Sequence, residues 1–392
     1  MTIENRKSSS ALSWAAYLGI SWTWVIGMFL PVLLIRDYGF WAWVIFAVPN
    51  CLGAAAMGWV MRSPEQSARV TTVHAAACRL FSLVTIAFHV FFAIWIIPRL
   101  VGPIGWVVPA VLVQLAFTPA IRNGAMLRIA FVVIGISVGV AVAMGNMGQL
   151  TVPAAVAVPA SDLLGLAAVC TLGFLTCPYL DLTFHRARRH TTGAGAKLAF
   201  GVGFCVFFAS MIVFTLLYAT SLAAGMSTTM FRSTPSAAWL LAGHFSVQMA
   251  FTVIVHARVL YEQAEARDED GNFRALLSAT LAAALAAGLL AHFGFVNELP
   301  FRGVELGEVV YRCFMSFYGL VFPAYVVTSL LTGRPRWLLT AAAILLALPF
   351  YWIAFIDRQM SYAIAGAGIV VLAGVVAQLT RRRATAPVTS GA

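Results

Sequence analysis

The sequence predicts an all-α, polytopic membrane protein with about twelve transmembrane helices, and three observations carry the prediction. Only 10% of its 392 residues are charged and 61% are hydrophobic, too little polar surface to solvate a soluble chain. The mean hydropathy is +0.90. The apolar residues fall into runs near the roughly 20 residues that cross a bilayer core. The basic residues lie between those runs and favour alternate loops, as orientation signals do.

Taken in order, the predicted spans cover residues 12–35, 39–61, 78–98, 103–120, 125–144, 161–184, 197–222, 237–260, 274–294, 307–331, 336–356 and 359–380. None alternates with a period of two, which excludes an outer-membrane β-barrel pattern. The first run is too long for a signal-peptide core, so no cleavable signal is expected. With the N-terminus inside, 19 Lys and Arg residues face the cytoplasm. Six remain outside: Arg36, Arg99, Arg232, Arg302, Arg312 and Arg358. This asymmetry predicts an inner-membrane protein with both termini cytoplasmic. The acidic run Glu262 to Asp270 reads as a solvated inside loop. The net charge of +11 is dispersed, so it does not suggest nucleic acid as a partner. The aromatic run Phe40 to Trp43 suits a membrane interface. All six cysteines fall in or beside apolar runs, without CxxC spacing, and read as packing residues.

Two spans carry glycine ahead of proline near mid-membrane. Helix 1 reads Gly27-Met28-Phe29-Leu30-Pro31, and helix 6 reads Gly173-Phe174-Leu175-Thr176-Cys177-Pro178. Proline removes a backbone donor and glycine lowers the cost of unwinding. Bare backbone at membrane depth is tolerated where it lines a cavity or lies buried in protein. Paired interruptions in corresponding places of two halves point to a binding site. Simple kinks are the competing reading, and helix 10 carries a further copy, Gly319 to Pro323.

Five helices separate the two starts, so a repeat with that offset would be inverted. This layout resembles the five-plus-five inverted repeat of the amino acid–polyamine–organocation superfamily, the leucine-transporter-like fold of sodium–solute symporters. The resemblance implies a first repeat over 12–144, a second over 161–331, two added helices over 336–380, an N-terminal segment 1–11 and a basic tail 381–392. It also implies a secondary transporter of a small solute working by alternating access. The unwound centres would supply Gly27, Met28, Phe29, Gly173, Phe174, Thr176 and Cys177 to the substrate, with Ser21, Thr23 and Trp24 nearby and Pro31 and Pro178 as the helix breaks. Sodium-coupled members hold the ion with neighbouring hydroxyls of helix 8. Here that helix lacks the pair, leaving Ser246 and Thr252 as the candidate ion site.

Ionisable groups inside a membrane are costly and mark function. Asp181 is the one carboxylate well inside a predicted span, and His185 follows four residues later on the same helical face. The pair could relay a proton, or Asp181 could pair with Arg186 or Arg188 as a gate. His89, His244 and His256 lie in other spans, as do Asn50, Gln114 and Gln248. The twelve-residue spacing of His244 and His256 admits a haem alternative, with His89 or His74 opposite. No metal or cofactor is otherwise expected. The P-loop, nucleophile-elbow and zincin motifs are missing, which argues against an enzyme or an ATP-driven pump. The expected partners are a small-molecule substrate and the lipid bilayer, with no oligomeric state implied. The alternative function is a transporter-like receptor that signals through a partner protein.

Overall fold

The computed structural model describes residues 10–118, 123–147, 156–227 and 235–385. Most of the N-terminal segment, Arg232 and the end of the basic tail lie outside those residues. The described residues are almost wholly helical, apart from a two-residue-per-strand hairpin, Pro300–Phe301 with Val304–Glu305. Ten continuous stretches are long and apolar enough to cross a membrane. Two of these fold back on themselves, and a shorter helix, Ala11–Ser21, opens the first pass, so the passes number twelve among the described residues.

The first fold-back is at Gly39, whose φ of 74° and ψ of −171° interrupt the helix Val25–Val60. Only glycine adopts that geometry without a Cβ penalty. The reversal is visible in one bond: Trp22 reaches Asn50 at 2.7 Å although they lie 28 residues apart. A straight helix would hold them about 42 Å apart. The second fold-back is at Gly102, φ 73°, where Ala75–Val101 ends and Val107–Phe117 returns along it.

Helix 1 is therefore Ala11–Ser21 followed by 25–38, and helix 2 is 40–60. Helices 3, 4 and 5 are Ala75–Val101, Val107–Phe117 and Asn123–Asn146. Helix 6 comprises Ala160–Thr176, a 3-10 turn Cys177–Leu180, and Leu182–His190. Helix 7 runs from Gly193 to Ser227 through a π turn at Gly203–Phe208. Helices 8 and 9 are Pro235–Glu265 and Asp270–Val296. Helix 10 runs from Leu306 to Thr328 with a π turn at Phe317–Val321. Helices 11 and 12 are Trp337–Phe355 and Tyr362–Thr385. A short helix, Pro64–Val73, lies between helices 2 and 3.

The packing repeats with an offset of five. Helix 1 packs on helix 7 as helix 6 packs on helix 2. Helix 3 packs on helix 9 as helix 8 packs on helix 4. Helix 5 meets helices 1 and 8, just as helix 10 meets helices 6 and 3. Recurrence at an odd offset is the packing that an inverted five-plus-five layout, with helices 11 and 12 added, would give. Close approach is bought with small residues, as it is between membrane helices generally. A Cβ on Gly53 of helix 2 would lie 2.3 Å from the carbonyl oxygen of Phe174 in helix 6.

Candidate functional site

Helices 1 and 6 are both interrupted, and the interruptions mirror one another. In helix 1 a short segment, Ala11–Ser21, precedes the break and a longer one follows it. In helix 6 the longer segment, Ala160–Thr176, comes first and the short one, Leu182–His190, last. Both short segments lie towards the face that carries Ser10, called the first face below.

The break in helix 1 is not where the glycine–proline pair predicts it. The helix leaves its path at Trp22–Trp24 and continues unbroken through Gly27 and Pro31. Side chains replace the lost ladder bonds. Thr23 Oγ1 donates to the Gly19 carbonyl at 2.8 Å, and the Trp24 indole N–H donates to the Ser21 carbonyl. Gly27 serves packing, since a Cβ there would press on Phe208 of helix 7 at 3.2 Å. In helix 6 the pair does mark the break: a 3-10 turn begins at Cys177, and Asp181 is extended, with φ −76° and ψ 113°.

The two breaks face one small cavity of about 20 Å³, room for about one water molecule, lined by Trp22, Trp24, Ile26, Gly27, Asn50, Phe174, Cys177 and Tyr318. Its walls are aromatic, with Trp22 and Trp24 packed at 4.3 Å between ring centroids and Trp24 and Tyr318 at 5.4 Å. Asn50 is the fixed polar group, its Oδ1 accepting from the Trp22 indole. Tyr318 lies on the π turn of helix 10, a distortion that often marks functional sites. The helix ends at the two breaks turn dipoles of both signs towards this space.

Of the residues expected at the substrate, Trp24, Gly27, Phe174 and Cys177 line the cavity. The others do not. Ser21 donates to the Leu18 carbonyl and lies 3.4 Å from Thr183 Oγ1, joining the two breaks. The Met28 carbonyl accepts from Tyr218, and Phe29 packs between Phe92, Trp95 and Tyr311. Thr176 bonds back to the Leu172 carbonyl. Gly173 lines a second cavity of about 70 Å³, which extends from the first towards the opposite face. Phe174 and Tyr318 line both cavities and so divide them.

Charge closes the outer end of the second cavity. Arg36 forms a two-pronged pair with Glu308 at 2.6 and 2.8 Å, and Arg312 binds Asp37 at 2.5 Å and Glu308 at 2.6 Å. Asp37 and Arg312 line the cavity themselves. Arg312 also donates to the Phe355 carbonyl at 2.9 Å. The network ties helix 1 to helices 10 and 11. Sequence reasoning counted Arg36 and Arg312 only as loop charges. The available signal was an acid beside each base, Arg36-Asp37 and Glu308 four residues before Arg312.

The first face is closed by packing and by two arginines of the short segment of helix 6. Arg188 donates to the carbonyls of Met61 and Thr191 at 2.5 and 2.6 Å, and Arg186 pairs with Glu262 at 2.8 Å. Neither pairs with Asp181.

Asp181 does not pair with His185. The His185 ring donates from Nε2 to the Tyr179 carbonyl at 3.0 Å and accepts at Nδ1 from Ser67 at 2.8 Å, which holds it towards the short helix Pro64–Val73. Asp181 instead caps the short segment, its Oδ1 accepting from the Thr183 N–H and hydroxyl, both at 2.7 Å. Its Oδ2 faces Nε2 of His256 in helix 8 at 3.9 Å. The candidate ion site is not assembled either. Ser246 is spent on the Ala242 carbonyl at 2.6 Å, six residues and a different face away from Thr252.

No protein-family model matches the chain, and no curated protein matches it. Among solved structures it is similar to Mhp1, a nucleobase-cation-symport-1 family transporter, in a closed conformation with bromovinylhydantoin bound. The two share 11% identity over 98% of this chain and 97% of that one, with a TM-score of 0.47.

Proposed function

We propose that the chain is a secondary active transporter that moves a small solute by alternating access, bound between the breaks of helices 1 and 6. One observation carries the reading: two inversely related broken helices face the same small, aromatic-lined cavity. The closures differ in kind. Towards the opposite face stand two aromatic side chains and an ion network; towards the first face stand the short helical segments. Each can open while the other stays shut.

The walls favour a solute with a flat apolar part that fits against indole and phenol rings, oriented by one amide. No Lys or Arg lines the inner cavity, so a strongly anionic solute is disfavoured. The 19 to 6 charge bias supports an orientation with the first face and both termini in the cytoplasm of a cell inner membrane.

The test is counterflow in proteoliposomes with a panel of small neutral and cationic ring compounds. At least one should exchange, and Trp24→Ala should abolish exchange while the protein still inserts and stays monodisperse. Binding without flux would favour the receptor alternative. Neither binding nor flux across the panel, with proton and sodium gradients in both directions, would count against the proposal.

A further inference from the structure

The polar residues of helix 8 fall on one stripe: His244, Gln248, Thr252 and His256 recur every four residues and are all buried. The upper part is anchored to helix 5, where Ser137 Oγ lies 3.0 Å from His244 Nδ1 and 2.9 Å from Gln248 Nε2. The lower part is only partly satisfied: His256 Nδ1 lies 3.0 Å from Ser82 Oγ of helix 3. Gln248 Oε1, Thr252 Oγ1 and His256 Nε2 are buried without a partner, and so are Asp181 Oδ2 and His89 Nε2 across from them. Buried polar atoms in native proteins are nearly always paired, and each one left unpaired costs about 1–3 kcal/mol. Five along one line are a cost that a ligand would relieve.

Their chemistry says which ligand. His89 Nδ1 lies 2.7 Å from the Thr85 carbonyl, so it carries the hydrogen and Nε2 is a bare acceptor. Gln248 Oε1 and Asp181 Oδ2 are acceptors as well. The site is rich in acceptors and holds one carboxyl group. Among the described residues no three His, Cys, Asp or Glu side chains converge as a metal set requires.

We propose that Asp181 and His256 form a proton-binding site, with His89 and Thr252 at its edge, and that its occupancy is transmitted to the solute cavity through Trp24. The transfer is simple: a proton from water adds to Asp181 Oδ2 and leaves it again to water, and no other bond changes. Protonating either partner turns the 3.9 Å contact into a hydrogen bond, which wants a separation nearer 2.8 Å. Asp181 is the extended hinge residue between the 3-10 turn and the short segment of helix 6, whereas His256 sits within a long helix. Closing the contact therefore moves the hinge. Two routes lead to the cavity. The Trp24 ring lies edge-on to His256 at 5.6 Å between centroids. Asp181 is joined through Thr183 and Ser21 to the break of helix 1. The other titratable side chains within electrostatic reach of Asp181 are Tyr17 of helix 1, Cys78 of helix 3, Cys177 of helix 6 and Tyr318 of helix 10. His89 of helix 3 is the one that reaches His256. Arg186, Arg258 and Glu262 cluster nearer Tyr17.

The coupling consequence rests on the transporter reading; the proton site does not. The experiment is infrared difference spectroscopy on the full chain in nanodiscs, titrated between about pH 4 and 9, where perturbed carboxyl and imidazole groups change charge. A protonated-carboxyl band should appear as pH falls, vanish in Asp181→Asn, return at a changed frequency in Asp181→Glu, and shift its midpoint by about one unit in His256→Gln. Asparagine keeps the capping oxygen that Thr183 needs, so Asp181→Asn should fold, and gel filtration checks that it does. The proposal is overturned if no band depends on Asp181, if His256→Gln leaves the midpoint unmoved, or if sodium at constant pH removes the band as raising the pH does, which would make the ligand sodium. No solute is needed. A titrating site in a protein that moves nothing would sink the transporter reading alone, and pH-independent transport without the band would sink this site alone.

Discussion

The indole Nε1 of Trp22 donates to Oδ1 of Asn50 at 2.7 Å, and through that bond the unwound stretch of helix 1 is held against helix 2 at the wall of the inner cavity. Removing the acceptor leaves a buried N–H unpaired, at about 1–3 kcal/mol. Asn50→Leu should therefore lower the thermal unfolding midpoint in detergent and weaken solute binding, whereas Asn50→Asp, which keeps the oxygen, should retain most of the stability. Equal behaviour of the two variants would mean that the bond does not hold the break.

The ion network at the opposite face is mostly buried. Breaking a buried pair by removing one partner costs about 3–5 kcal/mol, because the remaining charges are left unpaired. Arg312→Met leaves Asp37 and Glu308 facing each other with only Arg36 between them. The expected outcome is a shift towards conformations open on that face. Labelling of Cys170, which lines the second cavity, by an impermeant thiol reagent should rise several-fold. An unchanged rate would show that the network does not close this side.

His185 reads as part of the proton site in the sequence and as an anchor in the structure. His185→Gln should cost about 1 kcal/mol for each of its two side-chain bonds. It should leave the Asp181 titration and any pH dependence of transport in place. Loss of that pH dependence would return His185 to the coupling site.

Gly53 and Gly243 make a matched pair of substitutions. A Cβ at Gly53 would lie 2.3 Å from the Phe174 carbonyl oxygen, whereas nothing lies within 4 Å of one at Gly243. Gly53→Ala should separate helices 2 and 6 at the level of the cavity, at about 1–3 kcal/mol and with loss of solute binding. Gly243→Ala should be neutral or stabilising by up to about 1 kcal/mol through helix propensity. Thermal unfolding of the two variants decides this.

The twelve passes were legible because hydrophobic length answers to bilayer thickness, which no tertiary contact overrides. The offset of five at which the packing recurs was legible from the placement of the Gly27–Pro31 and Gly173–Pro178 pairs. The break in helix 1 was misplaced by about five residues, for a physical reason. Gly27 answers to the Phe208 ring across the bundle, and Pro31 is tolerated in an intact helix, while the actual break is stabilised by side chains, Thr23 and Trp24, that carry no breaker signature. His256 was read as a lone packing histidine or, with His244, as part of a haem alternative, and never as a partner of Asp181. Its partner Asp181 lies in another helix, and pairing across helices leaves no trace in local spacing. The recurrence of polar residues at 244, 248, 252 and 256 was the available signal.

The central claim is that the cavity between the two breaks opens to each face in turn, and Cys177 reports on it directly. Its Sγ lies in the cavity wall, 3.4 Å from the Tyr318 carbonyl, and the residue is 2% exposed in this closed state. With Cys51, Cys78, Cys170, Cys205 and Cys313 replaced by serine, the protein is reconstituted in a single orientation and an impermeant thiol reagent is applied from one side or the other. The account predicts slow labelling of Cys177 from both sides, with Arg312→Met accelerating only the side of the ion network. Labelling from one side alone under all conditions, or from neither, would contradict it.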